Sequence, residues 1–149
     1  MGPVAKLVSA RDDALPVVFL DSDVPGRDYQ KRLTSGRYKD EPRKVLGVAD
    51  FLGEGDFEIE DLFPPKALVD LIDRYYRADT YFEDSHDKDK PFVDQVERWA
   101  DEQSVVLKEG WKVDLARSVQ GRLDKVMADA SDELVQKWKQ IFDALLAMQ

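Results

Sequence analysis

Residues 17–26 read VVFLDSDVPG: four apolar residues run unbroken into two aspartates that flank Ser22, and Pro25-Gly26 follows. A continuous apolar run of this length predicts a strand covered on both faces, as in a parallel sheet, because a strand with one solvated face alternates instead. Pro25-Gly26 then marks a tight exit, and RDYQKRL (27–33) reads as a helix with Tyr29 and Leu33 inward, stopping at Gly36. Two carboxylates two residues apart on an extended chain point the same way and repel. A positive group is therefore expected between Asp21 and Asp23.

The rest of the chain changes character as it proceeds. RKVLGVADF (43–51) predicts a second apolar strand, and LGEG (52–55) a turn. In DFEIEDLF (56–63), Phe57 and Ile59 alternate with Glu58 and Glu60, so the stretch is expected to start as a half-buried strand or extended segment. Pro64-Pro65 stops it and opens a helix whose apolar positions are Leu68, Leu71, Ile72, Tyr75 and Tyr76. Residues 79–90 are polar and read as a loop. Beyond them, three helical stripes follow: one from Phe92 to Ala100, one from Leu115 to Met127, and one from Leu134 to Leu145 capped by Ser131. A short helix is expected over 4–14, ended by Pro16. The expected organisation is thus an α/β part over 1–78, a polar loop over 79–90, and a C-terminal helical region over 91–149 that packs on the sheet or on itself.

Length and charge narrow the function classes. A chain of 149 residues suits one core, and its net charge of −9 repels nucleic acid unless basic residues are segregated or metal ions intervene. Cysteine is absent, which removes disulfides and thiolate metal sites. No apolar run approaches the ~18 residues of a membrane span, and the N-terminus lacks a secretory pattern, so the chain is read as cytoplasmic. His86, the one histidine, stands in the polar DSHD stretch and reads as a surface residue rather than a ligand. No G-x-S-x-G elbow occurs, which disfavours serine-histidine catalysis.

The acids are unevenly placed. Between Asp50 and Asp61 stand six acids and no base. If the second strand lies beside the first, IEDLFPP returns near Asp21 and Asp23, at the strand ends where open α/β sheets place their sites. Carboxylates gathered in this way suit magnesium or manganese, and those ions suit phosphoryl chemistry. Two plainer readings stand beside this one: Asp23 as the N-cap of the following helix, and 50–61 as a solvated acidic loop. Residues 27–44 carry seven basic residues against three acids, a surface that suits phosphate contact or simply an exposed helix and loop.

The stretches VVFLDSDVPGRDYQKRL, VLGVADF and IEDLFP resemble the topoisomerase–primase (Toprim) domain, and within it the nuclease domain of the overcoming-lysogenization-defect (OLD) family. The resemblance covers residues 1–76 and extends through EGWKVDLARSV (109–119), which is similar to the lysine-bearing helix of that nuclease domain. It implies a Toprim-like α/β fold, a partly parallel sheet flanked by helices, and endonucleolytic cleavage of DNA by two-metal phosphodiester hydrolysis with Mg2+ or Mn2+. The family's D-x-D falls on Asp21 and Asp23 as metal ligands, and the acid of its E-D-L motif falls on Glu60, with Asp61 beside it. Its catalytic lysine falls on Lys112, which would stabilise charge on the phosphate; otherwise Lys112 is a surface lysine at a helix start.

The chain departs from that family in two respects. No glutamate-bearing strand precedes Val17, and no G-x-x-x-x-G-K-[ST] loop is present. The expectation is therefore a piece of a larger ATPase-nuclease chain that binds metal weakly and cleaves DNA poorly or not at all alone. It would meet DNA through metal and residues 27–44, and self-associate through an exposed sheet edge. Two other classes compete. VVFLDSD also looks like the nucleophile strand of haloacid-dehalogenase-type phosphatases, with Asp21 as nucleophile and Asp23 as acid/base. The helical region, with Trp99, Trp111 and Trp138, also suits a non-catalytic interaction module, although such stripes are more often core.

Overall fold

The computed structural model describes residues 15–148, so the helix expected over 4–14 lies outside the described residues. The chain is mixed α/β and mostly helical, with one small parallel sheet. It divides into two compact units, one formed by the chain up to Ile59 together with the segment from Gln136, the other by Glu60–Val135.

In the first unit, strand β1 (Val18–Leu20) leads into helix α1 (Val24–Ser35) and returns as strand β2 (Val45–Gly47). The strands pair in parallel, with Val18 opposite Val45 and Leu20 opposite Gly47. Leu33, Tyr38 and Val45 are buried between helix and sheet, with Val18, Leu20 and Tyr29 packed on them. The Tyr38 hydroxyl donates to the Pro16 carbonyl at 2.8 Å, and burial raises its pKa. Pro25-Gly26 is not an exit ahead of the helix but part of its first turn, where proline is tolerated because its missing N–H would lack an intrahelical partner anyway. Gly26 has no substitute there: a Cβ would stand 2.1 Å from the Asp21 carbonyl oxygen.

The second strand is shorter than the apolar run 43–51 suggests. A 3-10 turn occupies Pro42–Lys44, and a helical turn α2 (Ala49–Leu52) follows β2. Two side chains end the strand. Asp50 Oδ2 accepts from the Gly47 N–H at 2.7 Å, and Ser22 Oγ accepts from the Ala49 N–H at 2.8 Å. The Val48 N–H between them still donates to the Leu20 carbonyl of β1 at 3.0 Å, so these two bonds satisfy donors that face away from β1, as short polar residues at turns arrange. Of the strand or extended segment expected to start at 56, no strand is formed. That segment runs without regular secondary structure to Glu58 and closes into a 3-10 turn at Ile59–Leu62. Glu58 is 6% exposed and Ile59 is 39% exposed, the reverse of the alternation read from the sequence.

The second unit is helical. Helix α3 (Pro65–Tyr75) opens at the Pro64-Pro65 pair, and α4 (Phe92–Glu102) buries Phe92, Val93, Val96, Trp99 and Ala100, the stripe expected of it. The stripe from Leu115 to Met127 is two helices rather than one: α5 (Trp111–Gln120) and α6 (Leu123–Met127), separated at Gly121-Arg122. One continuous core joins these helices, with Leu68, Ile72, Leu115, Val119 and Val126 among its members. Within the polar stretch 79–90, a 3-10 turn at Phe82–Asp84 sends Phe82 into that core. The Asp73 carboxylate holds the turn by accepting from the Phe82 and Glu83 N–H groups at 2.6 and 3.1 Å. His86, expected at the surface, is only partly exposed. It is half-buried, edge-on to Phe82 and Phe92 at 5.4 and 5.9 Å, and burial lowers its pKa from the usual histidine value.

The last helix, α7 (Asp132–Leu146), starts in the second unit and belongs to the first from Gln136 onward. Ser131 caps it as the sequence suggests, accepting from the Leu134 N–H at 3.2 Å. Ile141 is buried, whereas Phe142 is 56% exposed and stacks on Trp138. Among the described residues, no helix is long and apolar enough to cross a membrane.

Candidate metal centre

β1 delivers Asp21 to the C-terminal end of the sheet. Ser22, buried behind it, clasps two segments at once: its N–H donates to the Phe57 carbonyl at 2.8 Å while its hydroxyl accepts from Ala49. Asp21 Oδ1 accepts from the Ile59 N–H at 2.9 Å. These bonds draw the acidic segment 56–59 against the strand end. Arg27 braces the same segment, since its guanidinium donates both to the Ser22 carbonyl and to the Asp56 carboxylate. Of the basic residues in 27–44, Arg27 is thus engaged with Asp56 and Lys44 with Glu41, at 2.7 Å.

The outcome is a group of three acids. Asp21, Glu58 and Glu60 each present a carboxylate oxygen, and these oxygens all lie within 4.8 Å of one another. Glu60 is the first residue of the second unit, but it follows Ile59 directly within the same 3-10 turn. Unit charges at that separation repel by roughly 3–4 kcal/mol per pair at an effective dielectric of about 20. A divalent ion bound to all three oxygens converts that repulsion into attraction. The donor set is all carboxylate, which suits hard cations such as Mg2+ and Mn2+ and leaves coordination positions for water or a phosphate oxygen. The group can therefore hold a metal ion. The solvent-open cleft beside it has a volume of about 620 Å³ and is lined by Asp21, Asp23, Asp28, Tyr29 and Arg32 among others.

Of the residues singled out from the sequence, Asp21 and Glu60 come together. Asp23 lies outside the group and acts as the N-cap of α1, its Oδ1 accepting from the Gly26 N–H at 2.8 Å. Asp61 Oδ1 accepts from the Phe92 N–H at 2.8 Å and so ties down the first turn of α4. Lys112 is the second residue of α5, half-buried, just after Gly110 in the left-handed conformation. Glu58 is the member that sequence reasoning missed. It belongs to the acidic run 50–61, but period-two alternation assigned it to solvent.

A capping role and a ligand role for Asp23 predict different mutants. Asparagine caps as well as aspartate does, whereas alanine costs about 1 kcal/mol. Asp23→Asn is therefore expected to keep both the thermal midpoint and the Mn2+ affinity of the parent. Asp23→Ala is expected to lower the midpoint by a few degrees. Loss of Mn2+ affinity in Asp23→Asn, by isothermal titration, would place Asp23 among the ligands instead.

No protein-family model, no curated protein and no solved structure matches the chain.

Proposed function

We propose that this chain is a metal-dependent phosphodiester hydrolase acting on DNA, a Toprim-like nuclease module of the OLD type, with Mg2+ or Mn2+ held by Asp21, Glu58 and Glu60. The observation that carries this reading is the convergence of those three carboxylates at the C-terminal end of a parallel strand. The β1-α1-β2 unit and the sequence resemblance around VVFLDSD and IEDLFP support it. A bound divalent ion would supply a water of lowered pKa and neutralise charge on the phosphate. The protein's own contribution is to hold the three oxygens in place. Ser22 and Arg27 anchor the acidic segment, and the Ile59 N–H orients Asp21. The resemblance gives Lys112 the task of stabilising charge on the phosphate.

Among the described residues, acids converge in one such group, enough for a single ion. A two-metal mechanism needs a second ion about 4 Å away, so cleavage by this chain is expected to be slow. Incubation of supercoiled plasmid with millimolar Mn2+ is expected to give slow nicking, abolished by EDTA and by Asp21→Asn or Glu60→Gln. No nicking at all, or equal nicking by the variants, would remove the proposal.

A further inference from the structure

The second unit carries a cavity that the metal reading does not use. It lies between the last turn of α3 and helix α5 and has a volume of about 300 Å³, the small end of the roughly 300–1,000 Å³ typical of ligand pockets. Its floor is apolar, made by the buried Ile72 and Leu115. Trp111 and Tyr76, both half-buried, add aromatic surface. The Tyr75 and Ser118 hydroxyls hydrogen-bond to each other within it. Lys108 and Arg117, both exposed, add two cations, and Asp114 stands 3.6 Å from Arg117.

The same unit carries a second, open cleft of about 880 Å³. Arg74 precedes Tyr75 on α3, and the cleft continues past the end of α5 to Arg122 and Lys125. Together the two linings hold five cations, Lys108, Arg117, Arg74, Arg122 and Lys125, against two acids, Asp114 and Asp124. In a chain of net charge −9 this is a marked segregation of positive charge. An aromatic pocket beside a cationic track is the arrangement that takes a flat base by stacking and its phosphates by charge. A purely apolar ligand would leave the cations unused, and a simple anion would leave the rings unused.

We infer that this cavity binds a nucleotide unit, the base against Trp111 and Tyr76 and the phosphate on Lys108 and Arg117, with the cations of the second cleft on the same unit available to further phosphates of a single strand. The site stands on the second unit alone and needs no metal. Two sources share this chemistry: a free mononucleotide, and an unpaired stretch of a nucleic-acid strand.

The test is fluorescence anisotropy of the full chain in EDTA, so that failure of the metal centre has no bearing on it. The probe is a labelled 12-residue oligothymidylate, competed with thymidine monophosphate. Expected is saturable binding that weakens steeply with salt and falls about tenfold or more in Trp111→Ala. Because Trp111 also packs on the core, the exposed pair Lys108→Glu and Arg117→Glu provides a second variant; combined, they are expected to lower affinity at least tenfold while leaving the thermal midpoint in place. Binding of the oligomer far more tightly than the mononucleotide identifies a strand as the ligand, and comparable affinities identify a free nucleotide. Absence of binding by both probes, or unchanged affinity in the charge-reversal variant, overturns the inference.

Discussion

Phe82→Ala is expected to destabilise the chain by about 3–5 kcal/mol, the range for removing a large buried aromatic without refilling its space. Phe82 is 1% exposed, and its ring lies 5.6 Å from that of Phe92 and 5.7 Å from that of Trp99. Those two rings come from α4, while the turn that carries Phe82 is held to α3 by Asp73. Removing the ring therefore loosens the join between two helices as well as leaving a cavity. Against a total stability of about 5–15 kcal/mol for a domain, the loss is a large fraction, and the thermal midpoint should fall by roughly 6–20 °C. Tyr81, its immediate neighbour, is 64% exposed, so Tyr81→Ala should stay within about 0.5 kcal/mol of the parent. Urea denaturation of both variants measures the contrast. A loss below about 1 kcal/mol in Phe82→Ala would mean that the turn is dispensable to the core.

Phe82 also shows where reading the sequence runs out. The stripe from Phe92 to Ala100 was legible because five apolar positions repeat at helical spacing, and all five are buried. Phe82 stands beside Tyr81 in a stretch of acids, lysines and small polar residues, so no periodicity tells the buried ring from the exposed one. What buries it is a carboxylate nine residues earlier, on another element. His86 was misjudged for the same reason: its neighbours in sequence are polar, but its neighbours in space are two phenylalanines.

The first unit gives the same lesson about strands. Val17–Leu20 was readable because its signal is local. The end of β2 was not, because Ser22 and Asp50 hold the backbone at the start of the helical turn that follows, and the apolar pattern of 43–51 does not announce them. In the acidic site, the positions of Asp21 and Glu60 were legible from the motifs around them. Glu58 was hidden by its alternation with Phe57 and Ile59. Period two holds only while a segment pairs along its length, and this one is anchored at two points, Phe57 to Ser22 and Ile59 to Asp21. Between those anchors the chain turns Glu58 inward.

Glu58→Gln is the variant that most directly separates a metal ligand from an ordinary buried acid. Glutamine keeps the shape of glutamate but removes the negative charge and halves the number of oxygens. If Glu58 is one of three carboxylates on an ion, the change removes a third of the anionic charge that binds it, and affinity should fall at least about tenfold, or ~1.4 kcal/mol. The readout is the metal-induced rise in thermal midpoint. An ion that binds only the folded chain stabilises it by about 2.7 kcal/mol at a hundred times its dissociation constant. That corresponds to roughly 5–10 °C for a chain of this size. The parent should show such a rise under Mn2+, and Glu58→Gln should need at least about tenfold more Mn2+ to reach it, whatever the substitution does to the metal-free midpoint. Glu58 offers its carboxylate from an irregular segment just ahead of the 3-10 turn, and a segment held at two points is a looser mount than a sheet interior. Weak binding that still depends on Glu58 is therefore the expected combination. An Mn2+ response identical in parent and variant would restrict Glu58 to a structural role and leave the proposed site with two acids.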